Sequence, residues 1–139
     1  MNKKYIALDI GDVRIGVAKS DILGMVATPL EVIDRKKQKS VPRIKEICTR
    51  ENCKKLVIGI PKSLDGTEKR QAEKVREYME KIKRNIPDVE FFEVDERLTT
   101  VSADRTLTEM GTKGAIEKRK VVDKIAAAII LQTFLDTKR

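Results

Sequence analysis

Short apolar runs open the chain, and each one ends at residues that favour a turn. The runs at 5–10, 14–18 and 25–33 predict three β-strands. Only a tight Gly11–Asp12 turn separates the first two, so we expect the three strands to form an antiparallel meander. Pro29 in the third run predicts a bulge or a sheet edge, because proline cannot donate a hydrogen bond to a strand ladder.

The pattern then alternates between helical and strand periodicity. The continuous apolar run at 56–60 predicts a buried strand of the kind found in parallel sheets, and the segment 89–94 predicts another buried strand. Strands that alternate with helices after a meander predict an α/β domain with a mixed sheet covered by helices. The predicted helices are one capped by Ser40, one that follows an Asp65–Glu68 capping box and ends at Pro87, one that begins at Thr99 or Thr100, and one over 121–135 that follows a Gly111–Arg119 loop.

The 139 residues include no histidine, and this absence restricts the chemistry. It excludes Ser-His-Asp and Cys-His catalysis and histidine metal ligands. The two cysteines, Cys48 and Cys53, cannot complete a four-ligand zinc site without histidine, and Cys48 lies on an apolar helix stripe typical of core packing. An isolated pair of thiols favours a reducing cytoplasm. Carboxylates, lysines, hydroxyls or a hard metal must therefore carry any chemistry.

The chain is basic, with 30 Lys and Arg against 22 Asp and Glu and a net charge of +8. Such a balance favours a polyanionic partner, although lysine and glutamate can also serve only to solvate a surface. No apolar run reaches 18 residues, which argues against a transmembrane helix.

Two acidic residues lie where apolar residues are expected. Asp9 shares one face of the first predicted strand with Tyr5 and Ala7. Asp123 shares a helical stripe with the apolar residues four, seven and eleven positions further along the last predicted helix. A carboxylate in an apolar environment is unfavourable unless it is paired or binds a metal, so both positions are candidates for function. A turn cap for Asp9 and a helix N-terminal contact for Asp123 remain the structural alternatives.

A third acidic segment, Asp95–Glu96, follows the second buried strand, at the edge where α/β sheets bind ligands. Carboxylates that converge from three segments repel one another unless a divalent cation neutralises them, and oxygen ligands suit Mg²⁺ or Mn²⁺. Two such ions about 4 Å apart can stabilise the attacking and leaving oxygens of a phosphoryl displacement. Together with the basic surface, this combination favours a metal-dependent nuclease.

Four spaced motifs extend over essentially the whole chain. They are Asp9–Ala18, Gly59–Pro61 with Gly66–Thr67, Asp95–Thr100 with Ala103, and Val122–Asp123 with Ala126–Ala127 and Ile130–Gln132. These motifs resemble the YqgF (RuvX) family and follow the family's order. The resemblance implies an RNase H-like fold, with a five-stranded mixed sheet and helices on both faces. It implies one nuclease domain over 1–139 that either processes the 5′ end of pre-16S ribosomal RNA or resolves Holliday junctions.

The resemblance also implies a set of catalytic acids. Asp9 matches the acid on the first strand of the fold, and Asp123 matches the acid on its last helix. We expect Glu96 to be the third metal ligand because it shares one side of its strand with Val94, with Asp95 as the alternative. The expected cofactor is Mg²⁺ or Mn²⁺ bound by Asp9, Glu96 and Asp123.

The candidate substrate contacts are basic: Lys62 follows Pro61 near the expected site, and the others each have a structural alternative. Arg14 contacts phosphate or braces the first hairpin, and Arg97 contacts phosphate or pairs with a neighbouring acid. The basic loop that leads into the last helix contacts nucleic acid or is simply solvated. The candidates are Arg14, Lys62, Arg97, Lys113 and Arg119.

Two other functions compete with a nuclease. The Asp9–Gly11 hairpin also resembles the phosphate loop of actin-like and sugar kinases, but those proteins need two such domains, and this chain has no Walker A pattern. A non-catalytic nucleic-acid-binding module would have no use for an inward-facing Asp123. The sequence does not choose between structured RNA and branched DNA. Symmetric cleavage of a four-way junction calls for a homodimer, whereas trimming a precursor does not.

Overall fold

Five strands form one mixed sheet, which confirms the predicted fold class. The computed structural model describes residues 2–61, 69–99 and 115–138. The strand order is β3-β2-β1-β4-β5; the first three strands are antiparallel neighbours, and β4 runs parallel to both β1 and β5. The strands are β1 (Ile6–Ile10), β2 (Arg14–Ser20), β3 (Ala27–Asp34), β4 (Lys55–Ile60) and β5 (Glu90–Asp95).

Helices cover both faces of the sheet. Helices α1 (Ser40–Arg50) and α2 (Lys69–Asn85) pack on one face. Helix α3 (Ala115–Thr137) packs on the other, and a short 3₁₀ helix, Glu96–Leu98, follows β5. Within the described ranges, none of the helices has both the length and the apolar character needed to cross a bilayer.

Strand alternation divides β1 between two cores. Ile6, Leu8 and Ile10 face α1 and α2, whereas Ala7 lies in the core beneath α3. Asp9, two residues further along the strand, therefore points to the α3 side. The sequence pattern predicted this division.

Pro29 lies in β3, an edge strand whose register with β2 shifts between Val17 and Ala18. The prediction of an edge or bulge is therefore confirmed. Cys48 and Cys53 are both buried free thiols, in agreement with core packing. Burial raises the pKa of Cys48 to about 11, so its thiol is held in the neutral form at physiological pH.

Two local predictions were wrong. Ser40 does not cap α1: Lys39 occupies the capping position, no side chain caps the helix, and the Ser40 hydroxyl instead hydrogen-bonds with the Tyr78 hydroxyl. The Gly111–Arg119 loop ends early, because α3 begins at Ala115. Residues 115–120 contain no glycine or proline, the residues that most disfavour a helix interior, so their sequence is compatible with an earlier helix start.

The early start of α3 changes the interpretation of its acid. Asp123 is the ninth residue of the helix rather than a residue of its first turn. Stabilisation by a helix N-terminus falls off within one turn, so it does not account for this residue. The Asp65–Glu68 capping box, and all of the helix predicted after Thr100, lie outside the described residues.

Candidate active site

Asp9 lies on the face of the sheet that α3 covers, and only 2% of its surface is exposed. Its partner on β2 is Gly16, which shares its face. A Cβ added to Gly16 would lie 2.0 Å from the backbone carbonyl oxygen of Asp123. The backbone of α3 therefore rests directly on the sheet beside Asp9, which only a glycine at position 16 allows.

Glu96 approaches the same place from the next strands. It follows β5, is 8% exposed, and its Oε1 lies 3.0 Å from where a Cβ on Gly59 would be. Gly59 follows Ile58, which pairs with Leu8 across the parallel β1–β4 ladder. Because adjacent strands are about 4.8 Å apart, Glu96 lies over the β4 position that neighbours Asp9.

Asp95 is engaged in a different interaction. Its Oδ1 accepts a hydrogen bond of 2.9 Å from the backbone N–H of Arg97, and its Oδ2 accepts one of 2.7 Å from the guanidinium Nη2. This pairing raises the pKa of Arg97, because the carboxylate stabilises the charged guanidinium. Asp95 thus caps the 3₁₀ helix and holds Arg97, which leaves Glu96 as the better candidate ligand of the two.

Asp123 is held by Arg14. The Nε of Arg14 donates a 2.7 Å hydrogen bond to Oδ2 of Asp123, and the two side chains are 21% and 14% exposed. Arg14 begins β2, beside the end of β1, so this ion pair lies at the same edge of the sheet as Asp9. The structure therefore gives Arg14 an ionic contact to a candidate catalytic acid, which differs from both roles predicted for it, and a phosphate contact stays a prediction.

The three acids share one face and one edge of the sheet but do not form a closed metal cage. Among residues 2–61, 69–99 and 115–138, no three histidine, cysteine or acidic side chains lie close enough together to hold one metal ion. Asp9 and Glu96 occupy neighbouring positions, whereas the carboxylate of Asp123 is directed to Arg14. Two nearly buried oxygen donors fit Mg²⁺ or Mn²⁺ chemically, because a hard dication offsets their burial and mutual repulsion.

Several predicted contacts cannot be placed. Lys62 and Lys113 lie outside the described residues. Arg119 belongs to the first part of α3, but its side chain also lies outside the described part. Gly16 and Gly59 belong to the sequence motifs, but no role was predicted for them. The signal was available, because an isolated glycine inside a strand marks the close approach of another part of the chain.

Comparisons with known proteins agree with this fold. A family model described as "RuvX: Holliday junction resolvase" matches residues 3–137. A Fusobacterium nucleatum protein named "Putative pre-16S rRNA nuclease" is 67% identical over 137 residues, which is 99% of each chain. An Acetivibrio thermocellus protein of the same name is 44% identical and covers 97% of this chain and 96% of its own.

A solved structure supports the fold independently. Thermus thermophilus RuvC, determined in complex with a Holliday junction substrate, superposes with a TM-score of 0.58 at 13% identity, over 96% of each chain. This likeness shows the RNase H-like fold. The family model and the two relatives extend over nearly the whole chain and show that it belongs to the RuvX family.

Proposed function

We propose that the protein is a metal-dependent nuclease that hydrolyses phosphodiester bonds at the 5′ end of pre-16S ribosomal RNA. The observation that carries the proposal is the pair of nearly buried carboxylates, Asp9 and Glu96, on neighbouring positions at one sheet edge. The names of the two relatives favour the ribosomal substrate. The description of the family model favours a second candidate, resolution of four-way DNA junctions.

Asp9, Glu96 and Asp123 would hold the metal. When bound, Mg²⁺ or Mn²⁺ supplies an activated water at neutral pH and stabilises charge on the phosphate, so no histidine base is needed. Asp9 lies within a strand and Glu96 in a short helical turn, so both carboxylates are held before substrate arrives. Arg14 orients Asp123 and offsets part of the negative charge of the site.

Arg97 is the described candidate for a direct phosphate contact. It follows Glu96 immediately, its side chain is 42% exposed, and Asp95 fixes its guanidinium on one side. Its remaining N–H groups can donate to a phosphate oxygen. We place this activity in the cytoplasm, where the free thiols of Cys48 and Cys53 would remain reduced.

Cleavage assays on two substrates test the proposal. A labelled pre-16S RNA with its 5′ extension and a labelled four-way DNA junction are incubated side by side with Mg²⁺, Mn²⁺ or EDTA. We expect metal-dependent cleavage of the RNA and weaker cleavage of the junction. Preferred, symmetric cleavage of the junction would favour the second candidate, and sedimentation should then show a dimer. Cleavage that persists in EDTA would contradict both.

Asp9→Asn tests the assignment of the acid. Loss of a residue that only supports a metal ligand already lowers activity about 10–100-fold, so we expect loss of a ligand to lower it by at least about a hundredfold. RNA binding and the circular dichroism spectrum should be retained. The matched control is Asp88→Asn, an equivalent change at an exposed acid that pairs with Lys54, and it should leave the rate unchanged. A wild-type rate in Asp9→Asn would refute the assignment.

A further inference from the structure

The positive charge of the chain is concentrated in two segments. The segment 35–39, between β3 and α1, carries four basic residues and no acidic one. Helix α2 carries seven basic and three acidic residues. The two segments together have a net charge of +8, which equals that of the whole chain, so the remainder is balanced. A general solvating role for lysine does not explain such localisation.

These two segments meet at one cavity, which we call the basic groove. It has a volume of about 170 Å³ and lies between the end of β1 and α2. The cations that line it are Arg35, Lys74 and Lys81, and Asp12 and Glu77 are the acids. Its lining is therefore net positive, with three cations against two acids.

Arg35 is held in place within the groove. Its Nη1 donates a 2.7 Å hydrogen bond to the carbonyl oxygen of Gly11, and its guanidinium carbon lies 4.7 Å from the centre of the Tyr78 ring. Neither contact involves an acid, so neither neutralises its charge. Lys74 lies 3.7 Å from Asp12, and both side chains are about half exposed, so their pairing is weak and can be exchanged for another anion.

The groove and the candidate active site meet at the end of β1. Ile10 and Gly11 line the groove on the α2 side, and Asp9, the preceding residue, faces α3. A strand of nucleic acid cleaved at Asp9 has only to cross the end of β1 to bring its neighbouring phosphates to Arg35 and Lys74. Tyr78 is 5% exposed beneath Arg35, so the groove offers no platform for stacking a base.

We propose that the basic groove binds backbone phosphates of the substrate strand on one side of the cleavage position, without reading base sequence. The proposal rests on the proposed nuclease function and extends it by assigning Arg35, Lys74 and Lys81 to substrate binding. The partner is a nucleic-acid backbone, since a series of phosphates matches cations distributed along a loop and a helix.

Binding in the absence of metal tests this proposal. A fluorescein-labelled pre-16S RNA hairpin is titrated with the full chain in EDTA, and anisotropy is measured from 50 to 200 mM KCl. Each phosphate contact contributes about 0.7–0.9 to the slope of log K against log salt. The double variant Lys74→Gln/Lys81→Gln should therefore bind more weakly, with a slope shallower by about 1.4–1.8. The loss should be equal for a hairpin of unrelated sequence.

The matched control is Lys54→Gln/Lys83→Gln, which removes the same charge. Lys54 precedes β4 at the opposite end of the sheet, and Lys83 lies in the last turn of α2 and donates to the carbonyl of Val89. This control should bind RNA more tightly than the groove variant does, and its slope should differ from the wild-type slope by less than half as much. An equal loss in both double variants, or no loss in Lys74→Gln/Lys81→Gln, would overturn the groove.

Two further outcomes separate the possible failures. Inorganic phosphate and chloride are compared as competitors at equal ionic strength. If phosphate displaces the RNA from the wild type and chloride does not, the groove is an isolated anion site and the proposal is overturned. Because binding is measured without cleavage, loss of RNA binding in the groove variant supports the groove even if no metal-dependent cleavage is found. Cleavage abolished by Asp9→Asn with unchanged binding in the groove variant would refute the groove alone.

Discussion

The two faces of the sheet use the same strands but differ in the size of their side chains. On the three central strands, the face under α1 and α2 carries large aliphatic residues, whereas the face under α3 carries mainly small residues and one acid. Large side chains hold helices away from a sheet, and small ones allow a helix backbone to touch it. On β1, β2 and β4 the first set is Ile6, Leu8, Ile15, Val17, Leu56 and Ile58, and the second is Ala7, Asp9, Gly16, Ala18, Val57 and Gly59.

The difference shows how the fold separates packing from chemistry. The aliphatic face removes large apolar side chains from water, which is the main source of folding stability. The face under α3 buries less apolar side-chain surface on these strands. Because its side chains are small, the backbone of α3 at Asp123 lies against Gly16. This close approach brings the acid of α3 to the edge of the sheet that carries Asp9.

We expect the largest effect on stability from Ile58→Ala. This residue is fully buried under α1 and α2, so its truncation should lower the free energy of unfolding by about 2–5 kcal/mol. Cleavage per folded molecule should not change, because Asp9 and Glu96 lie on the other face. Urea unfolding measures the first quantity, and Ile58→Val, expected to lose about 0.5–1.5 kcal/mol, is the matched control. A loss of activity beyond the loss of folded protein would show that the faces are coupled.

The two glycines of the face under α3 should differ from each other. Alanine at Gly16 would meet the α3 backbone at 2.0 Å, so the helix must shift, with a loss of about 1–3 kcal/mol and reduced cleavage. Alanine at Gly59 would meet the Ile130 Cδ1 at 2.5 Å and the Glu96 Oε1 at 3.0 Å, which are side-chain atoms that can move. We therefore expect a smaller loss of stability in Gly59→Ala. Parallel urea unfolding of both variants decides this, and an equal or larger loss in Gly59→Ala would contradict the geometry.

Hydrophobic periodicity predicted the two faces. A period of 2 residues in strands and of 3.6 residues in helices identifies the side chains that share a buried face. It placed Asp9 beside Ala7, put Asp123 on a buried stripe, and favoured Glu96 over Asp95 by its side of the strand. The structure places all three acids on that face, and their role as ligands stays a prediction.

Pairings between distant parts of the chain could not be predicted in this way. Arg14 and Asp123 are 109 residues apart, and Ser40 and Tyr78 are 38 apart. The local sequence is compatible with a capping role for Ser40, and it leaves several acids as possible ion-pair partners of Arg14. Only the packed structure decides which partner each one meets.

The smallest effect concerns the opposite edge of the sheet. Glu51 accepts hydrogen bonds from Lys4 at 2.7 Å and Lys19 at 3.3 Å, and the Lys4 bond in particular lowers the pKa of Glu51 below its usual 4.5. A lowered pKa stabilises the fold above pH 4.5, and this stabilisation is lost as the pH falls through the folded-state pKa. Glu51→Gln should therefore be less stable than wild type at neutral pH, with a difference that shrinks in acid. Urea unfolding from pH 7 to pH 3 measures it, and a difference independent of pH would contradict the ion pairs.

The central claim is that Asp9 and Glu96 belong to one metal site. Calorimetric titration of the full chain with Mn²⁺ tests it without any substrate. We predict that Asp9→Asn and Glu96→Gln each weaken Mn²⁺ binding by at least about tenfold, while Asp88→Asn binds as the wild type does. Wild-type Mn²⁺ affinity in both folded acid variants would contradict the account.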